Sequence, residues 1–227
     1  LGILRAFAGS GLDLSLMTRD PARAKPGTPG GVRLFSGFDG PPPGLLIESL
    51  PEDMALKQEF CARAEAAWGG RTIIATNTST LDYQVMADAL RYPAQFCGLH
   101  FMHPADAWDM VELIAVPQTA PATLAAVTGA LAAAGRRPLR IGKPIPGALI
   151  NRLQHAMAHE AYHMIATGAV AAEDVDLVIR RMLAPRMCVT GLIEQKDLSG
   201  LLTHATVQES IVPHLSHRAT AEPYLRA

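Results

Sequence analysis

Three short segments of the 227-residue chain carry polar side chains that could do chemistry, each where an apolar run ends or a helical pattern begins. They contain Asn77 and Ser79, then His100 and Glu112, and finally Asn151 after the Pro146-Gly147 turn. Sheets of α/β proteins build their sites at strand ends. A histidine at a strand end, with a carboxylate twelve residues later in the chain, predicts a general base. The carboxylate would hydrogen-bond the imidazole and fix its tautomer. The hydroxyl and amide groups could then hold a carbonyl or alkoxide oxygen.

A structural interpretation of His100 and Glu112, taken as an isolated pair, stays open. His100 would then be a hydrogen-bonded core histidine, and Glu112 an exposed charge at a strand end. Local motifs are weak evidence for catalysis when they stand alone. The pair therefore has to be weighed together with the elements that position it.

Apolar runs alternate with helical patterns through the first two thirds of the chain, which predicts a parallel or mixed α/β sheet with covering helices. The expected strands are 12–17, 32–35, 44–49, 72–76, 96–101, 113–116 and 138–141, and the expected helices are 3–8, one from 51 onwards, and 122–134. After Pro146 the pattern is helical only, over 148–166, 172–181 and the tail to 217. We expect an α/β domain at 1–145 and an all-α domain at 146–227.

Composition excludes several classes of function. With 20 basic and 21 acidic residues mixed along the chain, no positive patch for nucleic acid or an anionic membrane is expected. No apolar stretch is long enough for a membrane span. The three cysteines are far apart and lack C-x-x-C spacing, which predicts neither disulfides nor a thiolate metal site and favours the reducing cytoplasm.

Five motifs follow one another between residues 44 and 200, and several ordered motifs are far more specific than one. They are Ile47-Glu48-Ser49-Leu50-Pro51-Glu52-Asp53, Asn77-Thr78-Ser79, Gly98-Leu99-His100-Phe101, Val111-Glu112-Leu113, and Pro146-Gly147 with Asn151-Arg152-Leu153. In order and spacing they resemble the 3-hydroxyacyl-CoA dehydrogenase family. The resemblance implies a Rossmann-type domain followed by an all-α domain, and a place in fatty-acid metabolism.

The resemblance also implies roles for the polar residues. His100 would be the catalytic acid/base on the hydroxyl or ketone of an acyl-CoA-like substrate, and Glu112 would orient it and balance its charge. Ser79 and Asn151 would hydrogen-bond the reacting oxygen and the adjacent acyl group, in a cleft where Asn151 faces His100. The structural alternatives are a helix N-cap for Ser79 and a hydrogen bond at a helix start for Asn151.

For the cofactor, the resemblance implies that Glu48 and Asn77 lie along the ribose and nicotinamide of NAD. The alternatives are a charge at the sheet end for Glu48 and a helix N-cap for Asn77. The family's first strand and Gly-rich turn are expected to be missing, because Leu1-Gly2 stands where that turn would end. Arg19 stands where users of NAD present an acid, so it could accommodate the 2′-phosphate of NADP, or be an exposed turn arginine.

Other functions stay open beside this one. Relatives that act on carnitine or sugar acids are the nearest enzymatic alternatives, and a crystallin-like structural protein is the non-enzymatic one. By analogy with the family, the helical domain is expected to form a homodimer. His159-Glu160-Ala161-Tyr162-His163 also matches the zinc motif H-E-x-x-H. No clear third ligand follows it, so we expect no metal there, and hydrogen-bonded histidines packed at a domain or dimer interface.

Overall fold

A five-stranded mixed sheet forms the framework of the first part of the chain, which we describe from a computed structural model for residues 1–18, 20–22 and 27–226. The strands are β3 (Leu45–Glu48), β4 (Ile73–Thr76), β5 (Phe96–His100), β6 (Met110–Ile114) and β7 (Arg137–Ile141), in that spatial order. All neighbours are parallel except β5 and β6, which are antiparallel. β1 (Ser15–Met17) and β2 (Arg33–Phe35) pair in parallel as a separate sheet.

Helices cover this sheet, with bounds close to those expected from the sequence. They are α1 (Gly2–Ala6), α2 (Met54–Trp68), α3 (Tyr83–Asp88) and α4 (Pro121–Ala133). The carboxylate of Asp53 caps α2 by accepting from the backbone N–H of Leu56 at 3.0 Å. The short α3 was not expected from the sequence. Its N-cap is Asp82, whose side chain accepts from the N–H groups of the first helical turn.

Core side chains lie in two clusters that the alternation of the strands separates. Every residue of β5 is buried, which is typical of a strand covered on both faces. One cluster contains Ile74, Phe96 and Ile114, and the other contains their strand neighbours Ala75, Cys97 and Leu113. The apolar run from Phe96 therefore fixes β5 in the middle of the sheet and places His100 at the end of this strand.

The remainder of the chain is helical. Its elements are α5 (Ile150–Ala166), α6 (Ala172–Val178), a π-helical turn (Ile179–Leu183), α7 (Ala184–Val189), α8 (Glu194–Ser199) and α9 (Leu201–Ile211). By its internal contacts the chain forms two compact units, Leu1–Arg152 and Leu153–Ala227. In the second unit, Glu222 is the single buried residue among 153–226.

The predicted succession of a mixed α/β sheet and a helical region is confirmed. Two predicted bounds are wrong. The strand expected at 113–116 begins earlier, at Met110, because the polar Glu112 belongs to the strand interior. The strand expected at 12–17 is reduced to Ser15–Met17.

Candidate active site

His100 and Glu112 come together because their strands are antiparallel. In the register of β5 and β6 the two residues lie directly opposite each other, which puts both side chains on the same face of the sheet. His100 Nδ1 donates to Glu112 Oε2 at 2.6 Å, and both side chains are buried, at 4% and 0% exposure. The carboxylate only accepts hydrogen bonds, so Nδ1 carries a proton and Nε2 is the nitrogen free to exchange one.

Glu112 is held on its other side by the start of helix α5. Its Oε1 accepts from the backbone N–H groups of Leu149 at 2.8 Å and Ile150 at 2.9 Å. Burial would raise the pKa of Glu112, but the hydrogen bonds from His100 and from these two amides outweigh it and lower the pKa below its usual value. Glu112 is therefore ionised at neutral pH and supplies a fixed negative charge behind the imidazole.

Ser79 completes the environment of the imidazole. Its Oγ lies 3.1 Å from His100 Nε2, the ring atom opposite the one that Glu112 holds. Asn77 belongs to the same turn after β4, and its Oδ1 accepts from the backbone N–H of Phe101 at 2.8 Å. The structure thus joins the segments after β4 and β5, and neither Asn77 nor Ser79 is the N-cap of α3.

Asn151 lies in the first turn of α5, directly after Ile150, whose N–H binds Glu112. Its side chain has no hydrogen-bond partner among the residues that the structure describes. The backbone of this helix start is therefore tied to the dyad, while the amide of Asn151 stays available for another partner.

Glu48, at the end of β3, is buried at 2% exposure and has three protein partners. Its carboxylate accepts from Lys57 Nζ at 2.8 Å, from Thr76 Oγ1 at 2.7 Å and from the N–H of Leu50. Lys57 is itself buried at 1% exposure, so the two charges neutralise each other inside the protein. Glu48 is thus a charge at the sheet end, paired inside the protein, and a contact of Glu48 with a ribose stays a prediction.

Sequence reasoning missed Glu52, which connects the end of β3 to the turn that carries Ser79. Its two carboxylate oxygens accept from Thr78 Oγ1 and from the N–H of Ser79, each at 2.6 Å. The one available signal was its place in a motif beside Glu48. Arg19, predicted to accommodate a 2′-phosphate, lies outside the residues that the structure describes.

Comparison with known proteins decides the family. The family model for the NAD-binding domain of 3-hydroxyacyl-CoA dehydrogenase matches residues 43–144 of the sequence. The family model for the C-terminal domain of 3-hydroxyacyl-CoA dehydrogenase matches residues 147–226. The chain belongs to the 3-hydroxyacyl-CoA dehydrogenase family. The predicted family and the predicted Rossmann-type domain with a helical domain after it are confirmed.

Individual members of the family differ in what they are named for. The chain is 28% identical over 179 residues to 5-formyl-3-hydroxy-2-methylpyridine 4-carboxylate 5-dehydrogenase of Mesorhizobium japonicum, with coverage of 79% of this chain and 58% of the relative. It is 30% identical over 188 residues to the lambda-crystallin homolog of Homo sapiens, with coverage of 78% and 59%. The chain thus spans less than two thirds of the length of these relatives.

A solved structure of a family member supports the same conclusion. The structure of 5-formyl-3-hydroxy-2-methylpyridine 4-carboxylic acid 5-dehydrogenase, described as an NAD+-dependent dismutase, superposes with a TM-score of 0.87 at 25% identity, covering 98% of this chain and 79% of that one. NAD is accordingly the cofactor of this family domain, as predicted. Over the described residues, no helix is both long and apolar enough to cross a membrane.

The zinc-like motif lies in the C-terminal domain of the family, on α5, where its side chains bind the end of the chain. His159 Nε2 lies 3.1 Å from Ser216 Oγ, and Glu160 accepts from the N–H of Ser216 at 2.7 Å. His163 Nδ1 lies 3.6 Å from Glu222 Oε1. Among the described residues, no three His, Cys, Asp or Glu side chains come together as a metal site requires.

Proposed function

We propose that the protein transfers a hydride between NAD and the carbon that bears the 3-hydroxyl or 3-keto group of an acyl-CoA, with His100 as the acid/base. The observation that carries the proposal is the position of His100 between Glu112 Oε2 at 2.6 Å and Ser79 Oγ at 3.1 Å. One ring nitrogen is held by a buried carboxylate, and the other faces a neutral hydroxyl. This is the arrangement a general base needs.

In the direction of alcohol oxidation, His100 Nε2 takes the proton of the substrate hydroxyl. Bound NAD supplies the chemistry that accepts the hydride. The charge of Glu112 stabilises the imidazolium that forms, and its bond to Nδ1 keeps the ring in the productive tautomer. In the direction of ketone reduction, the same Nε2–H returns its proton to the oxygen.

Ser79 supplies a neutral donor beside the base. While the site holds no substrate, its hydroxyl can donate to Nε2 of His100. With substrate present, it would donate to the reacting oxygen, together with the amide of Asn151, and stabilise negative charge without trapping it. Both groups are uncharged, as this role requires.

The residues at the sheet end fit the nicotinamide half of the cofactor. Asn77 uses its Oδ1 on the N–H of Phe101, which fixes the amide, and its Nδ2 has no partner within the described part of the chain. Asn77 and Glu48 follow parallel strands at their carboxyl ends, where α/β sheets bind ligands. Asn77 would hold the nicotinamide ribose, with Glu48 next to it, and NADP remains the alternative to NAD.

A second substrate class is favoured by the 0.87 TM-score to a dehydrogenase of a pyridine carboxylate. A hydroxyl substituent on an aromatic acid, or an aldehyde substituent to which water has added, also loses one proton when its hydride passes to NAD, so the same dyad can accept that proton. The similarity to a lambda-crystallin homolog favours a third hypothesis, in which the protein is structural and has no enzymatic turnover. Carnitine and sugar acids are further substrates to test.

The test is an assay of nicotinamide absorbance with the full-length protein. Acetoacetyl-CoA with NADH or NADPH should be reduced, and His100→Gln should lower kcat by about 10²- to 10⁴-fold because the base is lost. His214→Gln, at an exposed histidine of the helical domain, is the matched control and should keep full activity. Turnover of an aromatic aldehyde acid alone would favour the second class, and no turnover of any substrate would refute the enzyme.

We also propose that a second copy of the chain covers the helical domain. Of residues 153–226 only Glu222 is buried, and large apolar side chains there stay exposed, among them Val189 at 84%, Ile193 at 72% and Leu202 at 84%. Apolar surface of this extent marks an interface. Light scattering on the full-length protein should give twice the mass of one chain, and a monomer would contradict the proposal.

A further inference from the structure

Glu52 holds the turn that carries Ser79 by both of its carboxylate oxygens. Oε2 accepts from Thr78 Oγ1 and Oε1 accepts from the backbone N–H of Ser79, each at 2.6 Å. Such short bonds to a charged acceptor are the strong ones. Because the two contacts fall on adjacent residues, they fix both the position and the orientation of the turn after β4.

Thr78, one of the two residues that Glu52 contacts, is fully buried, and both its hydroxyl and its carbonyl oxygen are hydrogen-bonded. Its Oγ1 donates its only proton to Glu52 and accepts from the N–H of Leu81 at 3.1 Å. Its carbonyl oxygen accepts from the hydroxyl of Tyr83 at 2.8 Å. Thr78 therefore transmits the position of Glu52 to the backbone of Ser79 with little freedom to shift.

The carboxylate of Glu52 lies near the ammonium group of Lys57, the cation of the buried ion pair at the end of β3. Lys57 Nζ lies 2.8 Å from Glu48 Oε1, 2.9 Å from the carbonyl oxygen of Leu50 and 4.0 Å from Glu52 Oε2. At this distance an opposite charge attracts Glu52 without binding it directly. These side chains thus connect the end of β3 to the turn after β4, in addition to the backbone hydrogen bond from the N–H of Asn77 to the carbonyl oxygen of Glu48 at 2.9 Å.

We propose that Glu52 is a positioning residue for Ser79 in the reaction proposed above, on which this inference rests. It has no contact with His100 and acts through the turn. The Ser79 Oγ and His100 Nε2 atoms are 3.1 Å apart, so a displacement of about 1 Å would break their hydrogen bond. A displacement of that size at a reacting group can cost about 10²-fold in rate.

Glu52→Gln is the perturbation that keeps the shape of the side chain. An amide has only one acceptor oxygen. If that oxygen keeps the N–H of Ser79, the NH₂ group can only donate to Thr78 Oγ1, so the hydroxyl loses its charged acceptor and the bond from Ser79 becomes the weaker bond to a neutral oxygen. Glu52 is 40% exposed, and the protein should fold without it. We expect kcat to fall about 10-fold with KM within about 2-fold, because the lost interaction acts in the transition state. Glu59→Gln, at an exposed position of α2, is the matched control and should leave kcat unchanged.

A double-mutant cycle separates positioning from a general structural effect. Ser79→Ala should lower kcat about 10²-fold as one donor is removed. Adding Glu52→Gln to Ser79→Ala should lower kcat no further, since the hydroxyl that Glu52 positions is gone. A crystal structure of Glu52→Gln should also show Ser79 Oγ more than about 3.5 Å from His100 Nε2.

The outcomes are distinguishable. The role of Glu52 would be overturned, and the proposed function left intact, by either of two results. One is that Ser79→Ala lowers kcat and Glu52→Gln lowers it further by the same factor as in the wild type. The other is that Glu52→Gln alone leaves kcat unchanged. Full activity in both His100→Gln and Ser79→Ala would overturn the proposed function and the positioning role with it. A non-additive cycle together with the displaced Ser79 would support both.

Discussion

Replacing Glu112 by glutamine removes the charge that joins His100 to the start of α5. The wild-type carboxylate accepts three hydrogen bonds, from His100 Nδ1 at 2.6 Å and from the N–H groups of Leu149 and Ile150 at 2.8 and 2.9 Å. The amide oxygen of glutamine can replace one of the two carboxylate oxygens. The NH₂ group of the amide takes the place of the other oxygen, where it faces a hydrogen-bond donor unless the neighbouring groups rearrange. If the oxygen keeps the two backbone amides, the NH₂ group faces the imidazole.

The cost follows from the number and type of these bonds. A hydrogen bond to a charged acceptor contributes about 1 kcal/mol more than one to a neutral acceptor. Three such bonds weaken in Glu112→Gln, so we expect the free energy of unfolding to fall by about 3 kcal/mol at neutral pH. The imidazole can keep a bond to the amide only by moving its proton to Nε2. That tautomer cannot accept the substrate proton, so kcat should fall by about 10²- to 10⁴-fold.

The stability difference between wild type and Glu112→Gln should depend on pH with a defined sign. Hydrogen bonding lowers the pKa of Glu112 in the folded protein, although burial opposes this. A lowered folded pKa means that the carboxylate stabilises the protein above the unfolded pKa of about 4.3, and that this stabilisation is lost as the pH falls through the folded value. The difference should therefore stay constant from pH 7 to about 4.3 and shrink below it.

Urea unfolding followed by circular dichroism, run at several pH values, measures this difference. Glu59→Gln removes an exposed carboxylate of α2 and should change stability by less than about 0.5 kcal/mol. A Glu112→Gln protein as stable as wild type at pH 7 would refute the reasoning. A difference that persists unchanged at pH 3 would refute the assignment of the effect to the charge.

Two further substitutions test the packing around the site by thermal denaturation. Gly98→Ala would place a Cβ 2.5 Å from Cε1 of Tyr83, so we expect the free energy of unfolding to fall by about 1 to 3 kcal/mol. The control Gly129→Ala, in α4, meets no atom within 4 Å and should raise the free energy of unfolding by about 0.5 kcal/mol. Equal effects of the two substitutions would contradict this. Lys57→Met leaves Glu48 buried without its cation and should cost about 3 to 5 kcal/mol, and adding Glu48→Gln should restore part of the loss.

The sequence was sufficient for most of the sheet because the strands are short apolar runs between helical patterns. β5, expected at 96–101, runs from Phe96 to His100. The antiparallel pairing of β5 with β6 was not predicted, although a signal for it exists. Only nine residues, 101–109, separate the two strands, and a parallel connection needs a crossover of a dozen or more. Applied to the interval between His100 and Glu112, this argument predicts antiparallel strands, while the register that sets the two residues opposite each other comes from the structure.

The supporting residues of the site could not be found in the same way. Glu48 interacts with Thr76, and Glu52 with Thr78 and Ser79, across a gap of more than twenty residues. No periodicity in the sequence relates such positions, because the pairing depends on the register of β3 with β4. A motif can indicate that Glu48 matters, but only the register shows that its carboxylate is directed into the protein and neutralised there.

The H-E-x-x-H motif on α5 shows why spacing alone does not define a metal site. Two imidazoles four residues apart share a helix face, but zinc needs both to direct free lone pairs at one point together with further ligands. Here His159 and Glu160 hydrogen-bond Ser216, and His163 lies 3.6 Å from Glu222 Oε1. Of the two histidines of the motif, His159 has the expected hydrogen bond and His163 only lies near a carboxylate, while the expected packing at a domain or dimer interface stays a prediction. The motif thus contacts the segment that contains Ser216 and Glu222, a packing role that its spacing serves equally well.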